Sequence, residues 1–299
     1  MKKIILYSIF CLFSMTLAAQ QSPLYSLYMF NDFAINPAVA GSENCYKAQI
    51  NNRYQFVGIE NAPVTASLSL HGRLNESPMG IGGLIYNDSQ GAFSKFGVYG
   101  AYSYIIEIDN RTDFSLGLNL GVIDYKIDLT KIKFLEEEPN LTESTYEFIR
   151  PDATFGAYLK SRDYFAGVSM DQLFNNKLEM VADSLVSDNS AINRITSHVS
   201  LVGGLKYKLS YGFDFEPTVL IRKAPKTPVQ AEISGRLTYQ KTAWAGVSVR
   251  SSDAVALLIG YNYRKLFTFA YAYDITYSAL RKASNGSHEV IIGIKFKEQ

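Results

Sequence analysis

The chain contains three histidines, His71, His198 and His288, and these are the residues to test first for chemistry. Metal binding or acid–base work would need them near one another, or near cysteine and carboxylate groups at ligand spacing. They fall instead on separate segments without such neighbours, and read as polar groups facing an interior or an interface. His288-Glu289 opens like the zinc-protease pattern H-E-x-x-H, but Ile292 stands where the second histidine is needed. There is no G-x-S-x-G elbow, no phosphate-binding loop and no dinucleotide fingerprint. The densest acidic run, Glu136-Glu137-Glu138 before Pro139, reads as a solvated loop. No arrangement meets the geometry of a catalytic rim, so the residues predict a non-enzymatic protein with no cofactor and no metal.

The elements that carry these residues must be sorted by compartment first. Lys2 and Lys3 precede an apolar run from Ile4 to Leu17 that ends in Leu17-Ala18-Ala19-Gln20. That order of charge, apolar run and small residues predicts a signal peptide over residues 1–20, and the run is too short for a membrane-spanning helix. Cys11 lacks the small-residue context of a lipid-modified cysteine. After cleavage Cys45 is the only cysteine, so no internal disulfide can form. Removing Lys2 and Lys3 from 29 basic residues leaves 27 against 28 acidic ones, and that balance points away from nucleic acid.

Beyond the leader there is no apolar run of helix-spanning length. The 21 Tyr, 18 Phe and 21 Gly suit transmembrane strands, which need aromatic girdles and small residues in a crowded interior. The last stretch, Ser287 to Phe296, puts Val290, Ile292, Ile294 and Phe296 on one face and Glu289, Gly293 and Lys295 on the other, with Ile291 the exception. The alternation recurs in Phe114 to Val122, in Val199 to Tyr207 and in Phe267 to Asp274. A lead segment, residues 21–44, has no strand period and predicts coil or a short helix. From Cys45 to the end, fourteen strand-like segments begin near Cys45, Pro63, Met79, Ala92, Thr112, Arg150, Asp163, Ile195, Tyr211, Pro228, Lys241, Asp253, Leu266 and Ser287.

Loop lengths decide between a soluble sandwich or propeller and a membrane barrel. One alternate set of links is short, including Lys160 to Arg162, Gln240 to Lys241 and Arg264 to Lys265. The other holds the long ones, Lys131 to Ile149 and Asn175 to Arg194, although Asn87 to Gly91 and Ser251 to Ser252 are short. Such segregation is the habit of outer-membrane barrels, with short turns in the periplasm. The fold class expected is therefore all-β: a transmembrane antiparallel β-barrel of about fourteen strands over residues 45–299. An even strand number places both chain ends in the periplasm.

Tyr164 to Ser169 echoes Ala243 to Ser248, one lipid-facing solution used twice. Inside such a barrel, Lys206, Lys208, Arg222, Arg236, Arg250 and Arg264 have Glu216, Glu232, Asp253 and Asp274 as possible partners. Either they form an ion network that fills the lumen, or the arginines snorkel at the interface.

Three stretches carry a likeness to a known family. They are Tyr28-Met29-Phe30-Asn31 with Ile35-Asn36-Pro37-Ala38-Val39-Ala40-Gly41, then Asn52 to Ile59 with Ala62-Pro63-Val64-Thr65, and finally Tyr271 to Ser278 followed by Gly286 to Val290. Together they resemble the PorP/SprF family over essentially the whole mature chain. Val39 and Phe56 depart from the Tyr and Trp common in that family, in positions where a partner contact could change. The resemblance implies an outer-membrane component of the Bacteroidetes type IX secretion and gliding-motility machinery. It implies as partners outer-membrane lipid, secreted surface proteins carrying a C-terminal cargo domain, and other components of the apparatus in the periplasm or outer membrane. Tyr28, Met29, Phe30, Asn31, Phe33, Asn36, Pro37 and Gly41 are then the candidate residues for a plug at the periplasmic mouth or for a partner contact, aromatic anchors being the usual carriers of interface energy. The two long loops would present a cargo surface outside. The alternative function is a passive or substrate-specific channel, which requires a continuous polar path through the lumen.

Overall fold

The alternating segments form fourteen antiparallel strands in the computed structural model, which describes residues 24–75, 77–131, 145–176, 195–225, 227–251 and 253–296. They are β1 (Tyr46–Tyr54), β2 (Val64–Arg73), β3 (Met79–Gln90), β4 (Phe93–Asp109), β5 (Thr112–Asp128), β6 (Thr145–Ser161) and β7 (Tyr164–Asp171). There follow β8 (His198–Leu205, resumed at Tyr207–Lys208), β9 (Phe213–Lys223), β10 (Gln230–Tyr239), β11 (Ala243–Arg250), β12 (Ala254–Tyr263), β13 (Phe267–Thr276) and β14 (Ser287–Phe296). Every strand pairs with its sequence neighbours, and β14 closes the sheet on β1 with Tyr46 opposite Phe296 and Tyr54 opposite His288. Closure leaves no open edge, so the strands' backbone groups pair with one another, as a hydrocarbon surround demands.

The alternation sorts side chains as the sequence predicts. In β5, Leu116, Leu118, Leu120 and Val122 are exposed on the outside while Ser115, Gly117 and Asn119 are buried inside. In β14, Val290, Ile292 and Phe296 face out, and Glu289 and Ile291 are wholly buried. Outward aromatics gather at the two ends of the wall, with Tyr164, Tyr207, Tyr239, Tyr261 and Tyr263 at one and Tyr54, Phe93, Phe96 and Tyr277 at the other. Leu68, Ile85, Leu257 and Ile259 occupy the band between. Two aromatic girdles around an aliphatic belt are what the two interfaces of a bilayer select.

All links at the end where β1 starts and β14 finishes are short, and the long ones lie at the opposite end. At the short-turn end Gln240 and Lys241 have φ of +48° and +57°, and Arg264 and Lys265 have +51° and +57°. Consecutive left-handed residues make the tight primed turns whose twist matches the strands they join. One strand departs from expectation: β6, expected near Arg150, begins at Thr145, with Thr145 to Ile149 paired against Asp128 to Asp124. Glu147 stands on its outer face, so the row is not apolar there and the alternation is hidden.

Candidate functional site

The lead segment lies inside the barrel. Its partners are inward-facing residues of strands all round the wall, and its described residues form one helical turn, α1 (Asp32–Ile35), and a 3-10 turn at Pro37–Val39. Tyr25 and Ser26 sit in the half of the lumen toward the long links. The chain then descends to Gly41 and leaves at the short-turn mouth to enter β1. Expected as a plug at one mouth, the segment instead runs from one half of the lumen to the other.

Its upper anchor is Ser26. The Ser26 amide donates to Glu289 Oε2 (2.7 Å) and its hydroxyl to Asp274 Oδ2 (2.8 Å), while Arg53 Nη1 and Arg250 Nη2 donate to Oγ at 2.8 and 2.7 Å. Arg53 is itself paired with Asp274 and Glu289 at 2.7 and 2.8 Å, and Arg250 with Glu232 and Asp253, both at 2.9 Å. The network continues through Ser248 and Ser234 to the Tyr28 hydroxyl, which also meets Thr218 at 2.7 Å. Such charges are tolerated out of water because each is matched and hydrogen-bonded. Of the charges named from sequence, Arg236, Arg250, Glu216, Glu232, Asp253 and Asp274 all enter lumen ion pairs. Arg264 instead lies over the Tyr263 ring in the turn. Of the most buried pair among the described residues, Arg53–Glu289, only Glu289 is placed by the alternation on an inner row; Arg53 is not among the lumen charges that the sequence names.

Aromatic anchors hold the middle. Phe30 stacks on Trp244 with ring centres 4.4 Å apart, and Arg236 lies 4.6 Å from the Phe30 ring and 6.0 Å from the Trp244 ring while pairing with Glu216. Phe33 is fully buried against His71, 4.5 Å between rings. Asn36 donates from Nδ2 to the carbonyls of Ala157 and Val168 and accepts the Ala38 amide on Oδ1. There the plug backbone runs against the wall, which is glycine at Gly80, Gly117, Gly156 and Gly167. A Cβ on Gly80 would strike the Ala40 carbonyl, on Gly117 the Ala38 backbone, and on Gly156 the Asn36 amide. These four glycines were not singled out in the sequence; the signal available was glycine on inward positions of otherwise regular strands. Gly41, at φ +70°, packs on Gly80 and Arg73 as the chain turns out.

All eight candidate residues therefore face this chain's own interior. Tyr28, Phe30, Asn31, Phe33, Asn36, Pro37 and Gly41 are buried, and Met29 is half-buried. Below the plug, the short-turn mouth opens into a vestibule of about 390 Å³, lined by Met29, Phe30 and Asn36 among others. At its rim Glu43 pairs with Lys295 at 2.5 Å. Burial alone would push the Glu43 carboxyl up, but the ammonium groups of Lys295, Lys47 and Lys160 outweigh it and hold the group well below the usual carboxylate range. Above, beside Tyr25, a cavity of about 70 Å³ remains, room for a few waters. No cluster of metal ligands occurs among the described residues. Most of the two long loops lies outside the described residues, as do residues 1–20.

A family profile described as type IX secretion system membrane protein PorP/SprF matches residues 17–294. No curated protein matches the chain. Among solved structures, the toluene transporter TbuX of Ralstonia pickettii is 8% identical, with 88% of this chain and 92% of that chain covered and a TM-score of 0.54. A Pseudomonas aeruginosa FadL homologue is 11% identical over 93% of this chain and 95% of that one, with a TM-score of 0.49. The likeness to TbuX is one of fold.

Proposed function

The chain belongs to the PorP/SprF family of type IX secretion system membrane proteins, and from that premise we propose that it works as a plugged outer-membrane barrel with no chemistry of its own. It assists the export or surface attachment of large secreted proteins through their C-terminal domains, in gliding or in secretion. Residues 1–20 are its cleaved export signal. The short turns and both ends of the strand order face the periplasm, and the long loops face outward.

The observation that carries this reading is the filled lumen. A solute channel needs a continuous polar path, whereas residues 24–44 cross the interior and are tied to the wall by a buried ion network, stacked rings and a glycine cradle. The channel alternative draws on the likeness to the toluene transporter TbuX, and requires that the plug leave its seat.

Two measurements test the proposal. In planar bilayers the full-length mature protein is expected to be silent, and deletion of residues 24–41 to open a conducting pore. Steady conductance from the intact protein would favour the channel. A tagged copy purified from outer membranes of its own host should bring with it a large secreted protein bearing a C-terminal cargo domain. Recovery of the barrel alone would overturn the export role.

A further inference from the structure

We infer that the vestibule at the short-turn mouth is a binding site for an acidic peptide segment that brings several separated carboxylates into the barrel. The plug enters only as the floor of this site, so the site stands whether or not the barrel serves secretion.

Charge is the first ground. Seven cationic side chains line the vestibule against three carboxylates. The carboxylates are already matched, Asp32 by Lys47, Glu216 by Arg236 and Glu43 by Lys295. Lys160, Lys206, Lys241 and Lys265 remain, with no ion pair among the described residues. Lys160 donates to the Ser42 carbonyl and Lys206 lies over the Phe165 ring; neither contact neutralises a charge. Low-dielectric walls around uncompensated cations focus a field that draws anions in.

The turns are the second ground. Lys241 and Lys265 each occupy the second of two consecutive left-handed positions in a three-residue link between strands, at φ +57°. Glycine or asparagine suits that position, and lysine is disfavoured there. Two separate turns nevertheless hold a lysine that reaches the cavity. The third ground is Gln49, only 3% exposed, which lines the vestibule with its amide oxygen and nitrogen both unpartnered. A primary amide with a free donor and acceptor is matched by a peptide group.

The same features select the ligand. The unmatched cations are lysines, point charges carried by different strands and turns, whereas a single phosphate is best met by converging arginine forks. Ile35, Val39 and Val202 add apolar wall that a small anion would not use. Lys241 and Lys265 stand on the turns at the rim, but Gln49 and the apolar lining lie within the ring of strands, where the wall separates them from the headgroups of the surrounding bilayer.

The test uses the full mature chain in detergent and a fluorescein-labelled peptide alternating glutamate and leucine, followed by anisotropy. Binding is expected and should weaken as salt rises. A lysine–leucine peptide should not bind. The double variant Lys241→Gln/Lys265→Gln should bind the glutamate peptide about tenfold more weakly, roughly threefold for each lysine, the scale of exposed ion pairs. Both positions are exposed turn residues, and an unchanged heat-dependent gel shift would show that the variant barrel is folded. Equal binding by the double variant, or equal binding of the lysine peptide, would overturn the assignment. Displacement by inorganic phosphate beyond that by sodium chloride of equal ionic strength would also overturn it, making this a small-oxyanion site.

Discussion

The two halves of the lumen treat charge in opposite ways. In the half toward the long links, Arg53 and Arg250 sit among Asp274, Glu289, Glu232 and Asp253, and the two arginines are almost wholly removed from solvent. At the short-turn mouth the excess is basic, and Lys241 and Lys265 are exposed. Buried charges must be matched in place, because desolvation of an unpaired ion is so costly; exposed charges need no internal partner and stay available. One half is therefore suited to hold the plug and the other to receive something.

The sharpest way to break the contrast is to unpair the buried half. Arg53→Ala strips Asp274, Glu289 and Ser26 of a shared partner and is expected to cost about 3–5 kcal/mol. Trp244 is the only tryptophan and stacks on Phe30 of the plug, so its emission reports whether the plug is seated. A shift to longer wavelength in Arg53→Ala at a temperature where the parent is unchanged would show the loss. An unaltered spectrum and melting curve would mean that the network is not what holds the plug.

The glycine cradle comes next. Gly117→Val drives two methyl groups into the Ala38 backbone, and overpacking of that kind costs about 1–3 kcal/mol. The same substitution at Gly100, where no atom lies near a built Cβ, is the control and should be close to neutral. Equal effects at the two sites would remove the cradle from the account.

At the exposed mouth the sign reverses. Lys265→Gly relieves a disfavoured left-handed conformation and should stabilise the barrel by up to about 1 kcal/mol, while weakening binding of the acidic peptide. A thermal melt and the anisotropy titration together check the trade; a variant that loses stability refutes it.

The smallest effect belongs to Glu43. Its carboxyl is held below its ordinary value by neighbouring ammonium groups, so the stabilisation is present above the free-carboxyl pKa of about 4.3. It is lost as the pH falls below that value and through the lower folded-state one. Because the pair is partly exposed, screening limits its worth to well under 1 kcal/mol. Glu43→Gln, a neutral stand-in for the protonated carboxyl, should lower the neutral plateau by that small amount and leave the acid end of the melting profile unchanged, which flattens the acid limb; an undiminished acid limb would assign the effect to other groups.

Much of the wall could be read directly from residue order. Period-two alternation in Phe114 to Val122 or Val199 to Tyr207 follows from strand geometry, and the bilayer enforces it by accepting only apolar groups outside. Loop lengths by parity follow as directly, because a hairpin needs few residues and those few are visible. The start of β6 is hidden by the converse: beyond the membrane nothing forces the outward position of Glu147 to be apolar.

The interior was legible only in part. Arg250, Glu232 and Asp274 could be placed on inner faces, and the lead segment could be recognised as lacking a strand period, since each is a property of a short window of chain. The meeting of Ser26 with Glu289, 263 residues away, could not be placed that way. Neither could the match of Gly117 and Gly156 to the Ala38 backbone and the Asn36 side chain, nor the gathering of Lys160, Lys206, Lys241 and Lys265 around one mouth. Sequence by itself determined the strands, their facing and their order, because the bilayer acts on each residue separately. Tertiary closure decided which inward residues meet, because only the completed ring sets the distances across the lumen, and burial then makes each meeting strongly favourable or strongly costly.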